Sequence, residues 1–401
     1  MALARRLLSF STIPAASALI PFLVLPVLAY NAGAGPWVAV AVGQSVGGFF
    51  ALAVSLGLNV VGPTLVSLAP EAERPELFAT GTRARLAVAL PGALVAAVIA
   101  AVLAPGADAP IAATMAVAIT LGGLSSAWFL IGLGRPLPLI LFELLPRAAA
   151  TALGGAIILV GGPVLWYPAL LLLAIAGGIA AYAASVMKPA ALVRGDWRGS
   201  LAFARRHLAA AATETVSGAY TTLAVSLVTA GTTTAQAAAY VSGDKLFRMG
   251  QTVVGAQGNA LQGWVVEEDR AHFGARARKA LLLHAVLGVL GFAAFALIGP
   301  WLTGILFRGK EMDAATAILF GAAILCISLT TSLGRHVLVP LGRTRAIFVS
   351  VVAGAVVGVP LTLALSALWG SVGGATGLAS AEVVVLLVQV GYVLAARKAR
   401  V

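Results

Sequence analysis

Apolar residues in this chain run on for twenty positions or more before polar clusters interrupt them. Transmembrane β-barrels alternate apolar and polar positions in segments of about ten, which is not this pattern. In hydrocarbon, runs of this length satisfy their backbone groups only as helices. The pattern predicts twelve spans, at residues 10–30, 38–69, 86–104, 111–133, 139–161, 164–187, 207–228, 235–266, 279–303, 312–341, 346–367 and 372–396. At about 1.5 Å per residue each can cross a core of about 30 Å. The second, eighth and tenth are too long for a plain crossing, so they project past the membrane or bend, with Pro63 a candidate bend in the second.

Composition agrees. Hydrophobic residues make up 60% of the 401 positions and charged residues 10%, against about 25% charged in soluble domains, so most of the surface faces lipid. The formal charge of +12 would raise nucleic acid as a partner in a soluble protein. Here the basic residues fall at span ends, which points to topology and lipid headgroups and to no nucleic acid. With the N-terminus inside, inner segments hold twenty Lys and Arg and outer loops only Arg308 and Lys310. Both termini are therefore expected on the cytoplasmic side. The inner set includes Arg5 and Arg6, Arg74, Arg83 and Arg85, and Lys188 and Arg194. Trp37, Trp166, Tyr167, Trp301 and Trp369 fall at predicted outer ends. The lone Cys326 rules out an intrachain disulfide or a cysteine metal site. The N-terminal run reads as an uncleaved first span.

The longest inner loop, 188–206, separates two halves. They read as an N-terminal six-helix bundle at 1–187 and a C-terminal one at 207–401. Trp37 to Arg85 gives a short outer loop, a long span, an acidic-then-basic loop and a new span, and Gln236 to Lys279 repeats that order about 200 residues later. Both halves start inside. The expected fold is an all-α polytopic membrane protein of about twelve helices in two bundles related by a parallel pseudo-two-fold repeat. Carriers built this way hold substrate between the halves.

The second half carries AYVSGDKL at 239–246, ILFRGKE at 305–311, HVLVPLGRTR at 336–345 and GSVGGATGLASAEV at 370–383. In that order these resemble the polysaccharide-transporter (O-antigen flippase) family of the multidrug/oligosaccharidyl-lipid/polysaccharide exporter superfamily, and residues 35–69 fit more loosely. Lys310, after Gly309 of the Leu-Phe-x-Gly-like stretch in ILFRGKE, departs from the pattern. The resemblance implies a carrier in the bacterial cytoplasmic membrane that flips a lipid-linked glycan, a polyprenyl-pyrophosphate oligosaccharide, by alternating access. It implies as partners membrane lipids and a polymerase and glycosyltransferases of the same pathway, a monomeric state, no cofactor and no enzymatic activity.

A charge at mid-bilayer costs about 2.5–3.5 kcal/mol on insertion scales, so such residues usually face a cavity. Four basic residues remain inside spans: Arg147, Lys245, Arg248 and Arg335. A pyrophosphate head needs a cationic, wet path, and arginine contacts phosphate in bidentate fashion. Asp244 and Arg248 share a face, as a cavity wall or as a self-neutralising pair, with Lys245 beside them. Gln251, Gln257, Asn259 and Gln262 continue down the span, as a wet face or as interhelical hydrogen bonds. Arg147 stands four residues after Glu143, as an ion pair or a ligand contact. Arg335 with His336 lies near a span end, where snorkelling is the simpler reading. Gln44 and Asn59 are first-half candidates for lining the same cavity. Glu214 and Glu382 are candidates for coupling transport to protons or sodium, which keeps an ion-coupled multidrug or metabolite antiporter open. His284 reads as a packed histidine. GILFRGKE at 304–311 fails as a phosphate-binding loop, because Glu311 stands where Ser or Thr must follow the lysine. Outer loops this short exclude a glycosyltransferase.

Overall fold

The computed structural model describes residues 24–187, 195–266 and 270–398. All regular structure among them is helical: α1 (24–31), α2 (Ala34–Ser55), α3 (Leu58–Leu68), α4 (Arg74–Leu103), α5 (Ala109–Gly122), α6 (Ala127–Leu133), α7 (Leu145–Leu159), α8 (Trp166–Val186), α9 (Trp197–Gly231), α10 (Thr234–Val266), α11 (Arg270–Leu306), α12 (Ala314–Ser332) and α13 (Thr344–Lys398). Eight helical stretches are long and apolar enough to cross a membrane, which makes this a multi-pass membrane protein. The last of them covers two expected spans. At 55 residues, α13 would run about 80 Å if straight, but Gly370 breaks it with φ 59° and ψ −129°. α9 and α10, at 35 and 33 residues, are long enough but too polar to count among the eight. Spans two to twelve are thus accounted for. Most of the first span, Arg5, Arg6, Lys188 and Arg194 lie outside the described residues.

Several local expectations are corrected. The second span does break, but at Leu56 and Gly57 (φ 52° and 71°), ahead of Pro63, which sits inside α3. The basic stretch to Arg85, read as loop, is helix from Arg74 onward, and Arg83 and Arg85 are buried. Trp37 and Tyr167 are buried in their helices while Trp166, Trp301 and Trp369 are exposed. Within the expected linker, 197–206 forms the first turns of α9.

The chain divides into two compact units, Met1–Ser226 and Leu227–Val401. In the first, α2 and α5 run alongside each other in the same direction, Gly43 against Ala112 and Met115, and Gly47 against Ala116. Beyond them, Phe78, Trp128, Phe129 and Tyr182 build an aromatic core, with Phe78 and Phe129 rings 4.8 Å apart. In the second unit α10 and α12 repeat the parallel pairing, Gly243 against Phe320, Gly250 against Ile324 and Gly258 against Thr331.

A shared turn supports the repeat. At Leu133-Gly134-Arg135 the Gly134 N–H reaches Ile131 O and the Arg135 N–H reaches Leu130 O. At Leu341-Gly342-Arg343 the corresponding bonds run to Val339 O and Leu338 O. Both glycines are left-handed, φ 66° and 70°, as a Schellman-type helix end requires. Each turn also neighbours a π-helical stretch, Ile140–Leu144 and Leu333–Leu338.

The two arms of α13 fold against each other through small residues. A Cβ at Gly354 would fall 2.6 Å from Val385 Cγ2 and one at Gly358 2.5 Å from Ala381 Cβ. At Gly373 and Gly377 it would collide with Leu365 O and with Thr362. Four-residue spacing of small side chains lets helix backbones approach closely in lipid. Asp313 ties the hairpin to α12. Its carboxylate caps that helix, accepting from Thr316 N and Oγ1 at 2.8 Å each. Ser371, just past the break, places its hydroxyl 3.1 Å from Asp313 Oδ2 and 2.8 Å from Gln236 Oε1. Burial works against ionisation of Asp313, but the bonds from Thr316 and Ser371 outweigh it and hold its carboxyl below the usual value.

Two predictions follow from this packing. Gly377→Leu will lower the thermal midpoint in detergent, by an overpacking cost of about 1–3 kcal/mol. Gly391→Leu, where nothing lies within 4 Å, will not; equal effects of the two would contradict the close-packed hairpin. Asp313→Ala will cost about 0.5–2 kcal/mol as a lost cap. A carboxyl depressed on folding stabilises above its unfolded value and loses that contribution in acid. The gap in thermal midpoint between wild type and Asp313→Asn will therefore close below about pH 4.

Candidate functional site

α10 carries the polar groups that crossing helices otherwise avoid. Asp244, Arg248, Gln251, Gly255, Asn259 and Gln262 recur at helical spacing, so they share one stripe. From Asp244 to Asn259 it extends about 22 Å. The Arg248 Nε donates to Asp244 Oδ2 at 3.0 Å, with the carboxylate side chain 2% exposed and the guanidinium 35%. Asp244 is thereby neutralised inside the helix bundle, while the Arg248 side chain is only partly buried. Lys245 is buried on the neighbouring flank. Gln251 is half-buried and Asn259 exposed. Arg335 does not snorkel alone: its Nη1 donates to Asn259 Oδ1, so a second guanidinium joins the far end of the stripe. The structure thus brings Asp244, Arg248, Gln251, Asn259 and Arg335 onto one helix face in the second unit.

Next to it, His336 is fully buried in the π-helical stretch. Its Nε2 lies 3.1 Å from Gly258 O. A carbonyl only accepts, so Nε2 carries the proton. His284 is buried as expected, with Nδ1 3.2 Å from Ser328 Oγ, and Ser328 donates to the His284 carbonyl at 2.7 Å. The two rings stand 5.4 Å apart. His336 was read from sequence only as a neighbour of Arg335. The signal for it was Ser332, four residues earlier, whose hydroxyl sits 3.2 Å from His336 Nδ1.

In the first unit Glu214 of α9 meets the break after α2. Ser55 Oγ donates to Oε2 at 2.8 Å and Asn59 Nδ2 to Oε1 at 3.0 Å. Asn59 is therefore a partner of the candidate coupling carboxylate. Gln44 is half-buried on α2, and Glu382 is buried in the second arm of α13.

Arg147 does pair with Glu143, Nη2 to Oε2 at 3.1 Å, yet Glu143 has more partners than sequence showed. It accepts the Ser126 N–H at 2.8 Å and the Ser125 hydroxyl at 2.7 Å. From the other side Arg85 donates to Ser125 O at 2.8 Å and stands 5.4 Å over Trp128. Together they satisfy the gap between α5 and α6. Sequence spacing could not find this, because Arg85 and Glu143 are 58 positions apart and Arg85 looked like loop. Among the described residues no three His, Cys, Asp or Glu side chains converge as a metal site.

The Glu214 geometry yields a test. A double-mutant cycle of Glu214→Ala and Asn59→Ala in thermal unfolding will show a coupling of about 1 kcal/mol. Strict additivity would mean that the contact contributes nothing.

No protein-family model matches the sequence, and no curated protein matches it. Solved structures do. A multidrug resistance MATE family transporter of the MOP superfamily in an inward-facing conformation aligns over 93% of this chain and 92% of its own, with TM-score 0.70 and 13% identity. The lipid II flippase MurJ, in an inward closed conformation, aligns over 96% and 87%, with TM-score 0.75 and 11% identity. The eukaryotic MATE transporter AtDTX14 aligns over 98% and 96%, with TM-score 0.59 and 17% identity. At these identities the likeness is one of fold: this chain has the all-helical fold of MOP-type transporters along nearly its whole length.

Proposed function

We propose that this protein is a flippase that carries a polyprenyl-pyrophosphate-linked oligosaccharide across the bacterial cytoplasmic membrane by alternating access, for assembly of a capsule, exopolysaccharide or cell-wall glycan. The observation that carries this reading is the stripe on α10. It sets two guanidiniums, Arg248 and, through Asn259, Arg335, about 16 Å apart along one helix, with amide side chains between them. A pyrophosphate needs charge-assisted donors and its sugars need neutral ones, and both are present on that face. Lys245 adds positive charge at the Arg248 end. On this reading both termini are cytoplasmic, the protein works as a monomer without a cofactor, and a polymerase and glycosyltransferases act on its cargo.

An ion-coupled antiporter is the second reading, and Glu214 supports it. A carboxylate held by Ser55 and Asn59 at a helix break is placed to exchange a proton or sodium ion, since broken helix ends offer such ligands in carriers.

The deciding experiment follows a fluorescent polyprenyl-pyrophosphate sugar in protein-containing vesicles by quencher accessibility. Removing Arg248 alone would strand a buried carboxylate, a change costing about 3–5 kcal/mol, so the variant is Asp244→Asn with Arg248→Gln. Combined with Arg335→Gln it will slow translocation about tenfold or more, as expected for lost charge-assisted contacts of at least about 1.5 kcal/mol. Absence of translocation by wild type would reject the flippase reading. Drug efflux driven by a proton or sodium gradient, and lost in Glu214→Gln, would establish the second.

A further inference from the structure

Between Leu246 and Val254 the face of α10 opposite the polar stripe is apolar. It forms, with α11 and Ile324 of α12, a groove of about 430 Å³ whose lining is entirely hydrocarbon, thioether, aromatic ring or glycine. On α11 the lining runs from Leu287 to Leu306, about 29 Å of helix, which matches the hydrocarbon thickness of a bilayer. Gly250 and Gly291 line it without side chains, both set against Ile324. The groove opens sideways between Val253 and Ile298, 56% and 48% exposed. Beyond Leu306 the chain enters a short loop with exposed Arg308, and Trp301 is exposed one turn before that end. The acidic groups of the loop have partners: the Gly309 N–H donates to Glu311 at 2.8 Å and, with smaller contributions from the Lys310 and Arg308 charges, holds its carboxyl below the usual range, and Asp313 is taken by Thr316 and Ser371.

We infer that this groove is a binding site for one phospholipid, its acyl chain lying between α10 and α11 and its phosphate against Arg308. The reasons are physical. A wide apolar groove open to hydrocarbon fills with hydrocarbon, because a void forfeits dispersion contacts along its whole wall. A guanidinium at the membrane boundary takes a phosphodiester in bidentate fashion. Aromatic side chains such as Trp301 settle at headgroup depth. The site is separate from the polar stripe, since the two lie on opposite faces of α10. It therefore does not depend on what the protein carries.

The test uses the full-length protein in phosphatidylcholine vesicles containing a trace of phospholipid with a diazirine in its acyl chain. After photolysis, labelled peptides are mapped by mass spectrometry. Wild type will carry label at Val253, Ile298 and Leu302 well above that at Leu290 and Leu297, which are exposed elsewhere on α11. Equal labelling of all five would reduce the groove to ordinary bilayer contact and overturn the inference. Val253→Trp with Ile298→Trp fills the mouth from exposed positions and will abolish the excess label, with an unchanged thermal midpoint showing that the fold is intact. Label surviving that filling would also overturn it. Arg308→Glu will lower the excess about tenfold; no change would overturn the headgroup placement. Labelling requires no transport, so its failure and failure of the flippase reading are distinguishable.

Discussion

Inside a bilayer there is no water to take up a backbone N–H or C=O, and every departure from helix must supply its own partners. The gap between α5 and α6 shows how this is done. Arg85 reaches the carbonyls at the end of one helix, and Glu143 accepts the Ser126 N–H at the start of the next. The charges match the dipoles of the ends they face. Elsewhere the chain closes its own bonds, through the left-handed glycines 134 and 342 and the π-helical stretches beside them. His336 plays a similar part for the carbonyl of Gly258.

That constraint sorts the intramembrane charges. Arg83 is used up by Ser200, Glu76 and Thr80, Arg85 by the helix gap, and Glu143 by the Ser125 hydroxyl and the Ser126 N–H besides Arg147. The α10 stripe is different. Its acid and base neutralise each other within about one helical turn, and the Arg248 side chain stays partly exposed. Helix α10 is thus two-faced, with a polar stripe for charge on one side and an apolar groove for hydrocarbon on the other.

Much of this was legible in the sequence. The Asp244–Arg248 and Glu143–Arg147 pairs follow from four-residue spacing, because local helical geometry brings such side chains together without any fold. His284 as a packed residue follows from its isolation in an apolar run. The partners of Glu214 were not legible: Ser55 and Asn59 lie over 150 positions away. Nor was the buried role of Arg85, since an arginine before an apolar run reads equally well as a loop cation.

By itself, then, the sequence determined that the chain crosses a membrane repeatedly as helices, where most spans begin and end, and which helix is polar. Those follow from transfer free energy and backbone satisfaction, which act residue by residue along the chain. Tertiary structure decided where the helices break, which buried charges serve the backbone rather than a ligand, and that the back of α10 opens as a groove. Those depend on which distant segments supply a donor, an acceptor or a wall, and the linear spacing of residues carries no record of that.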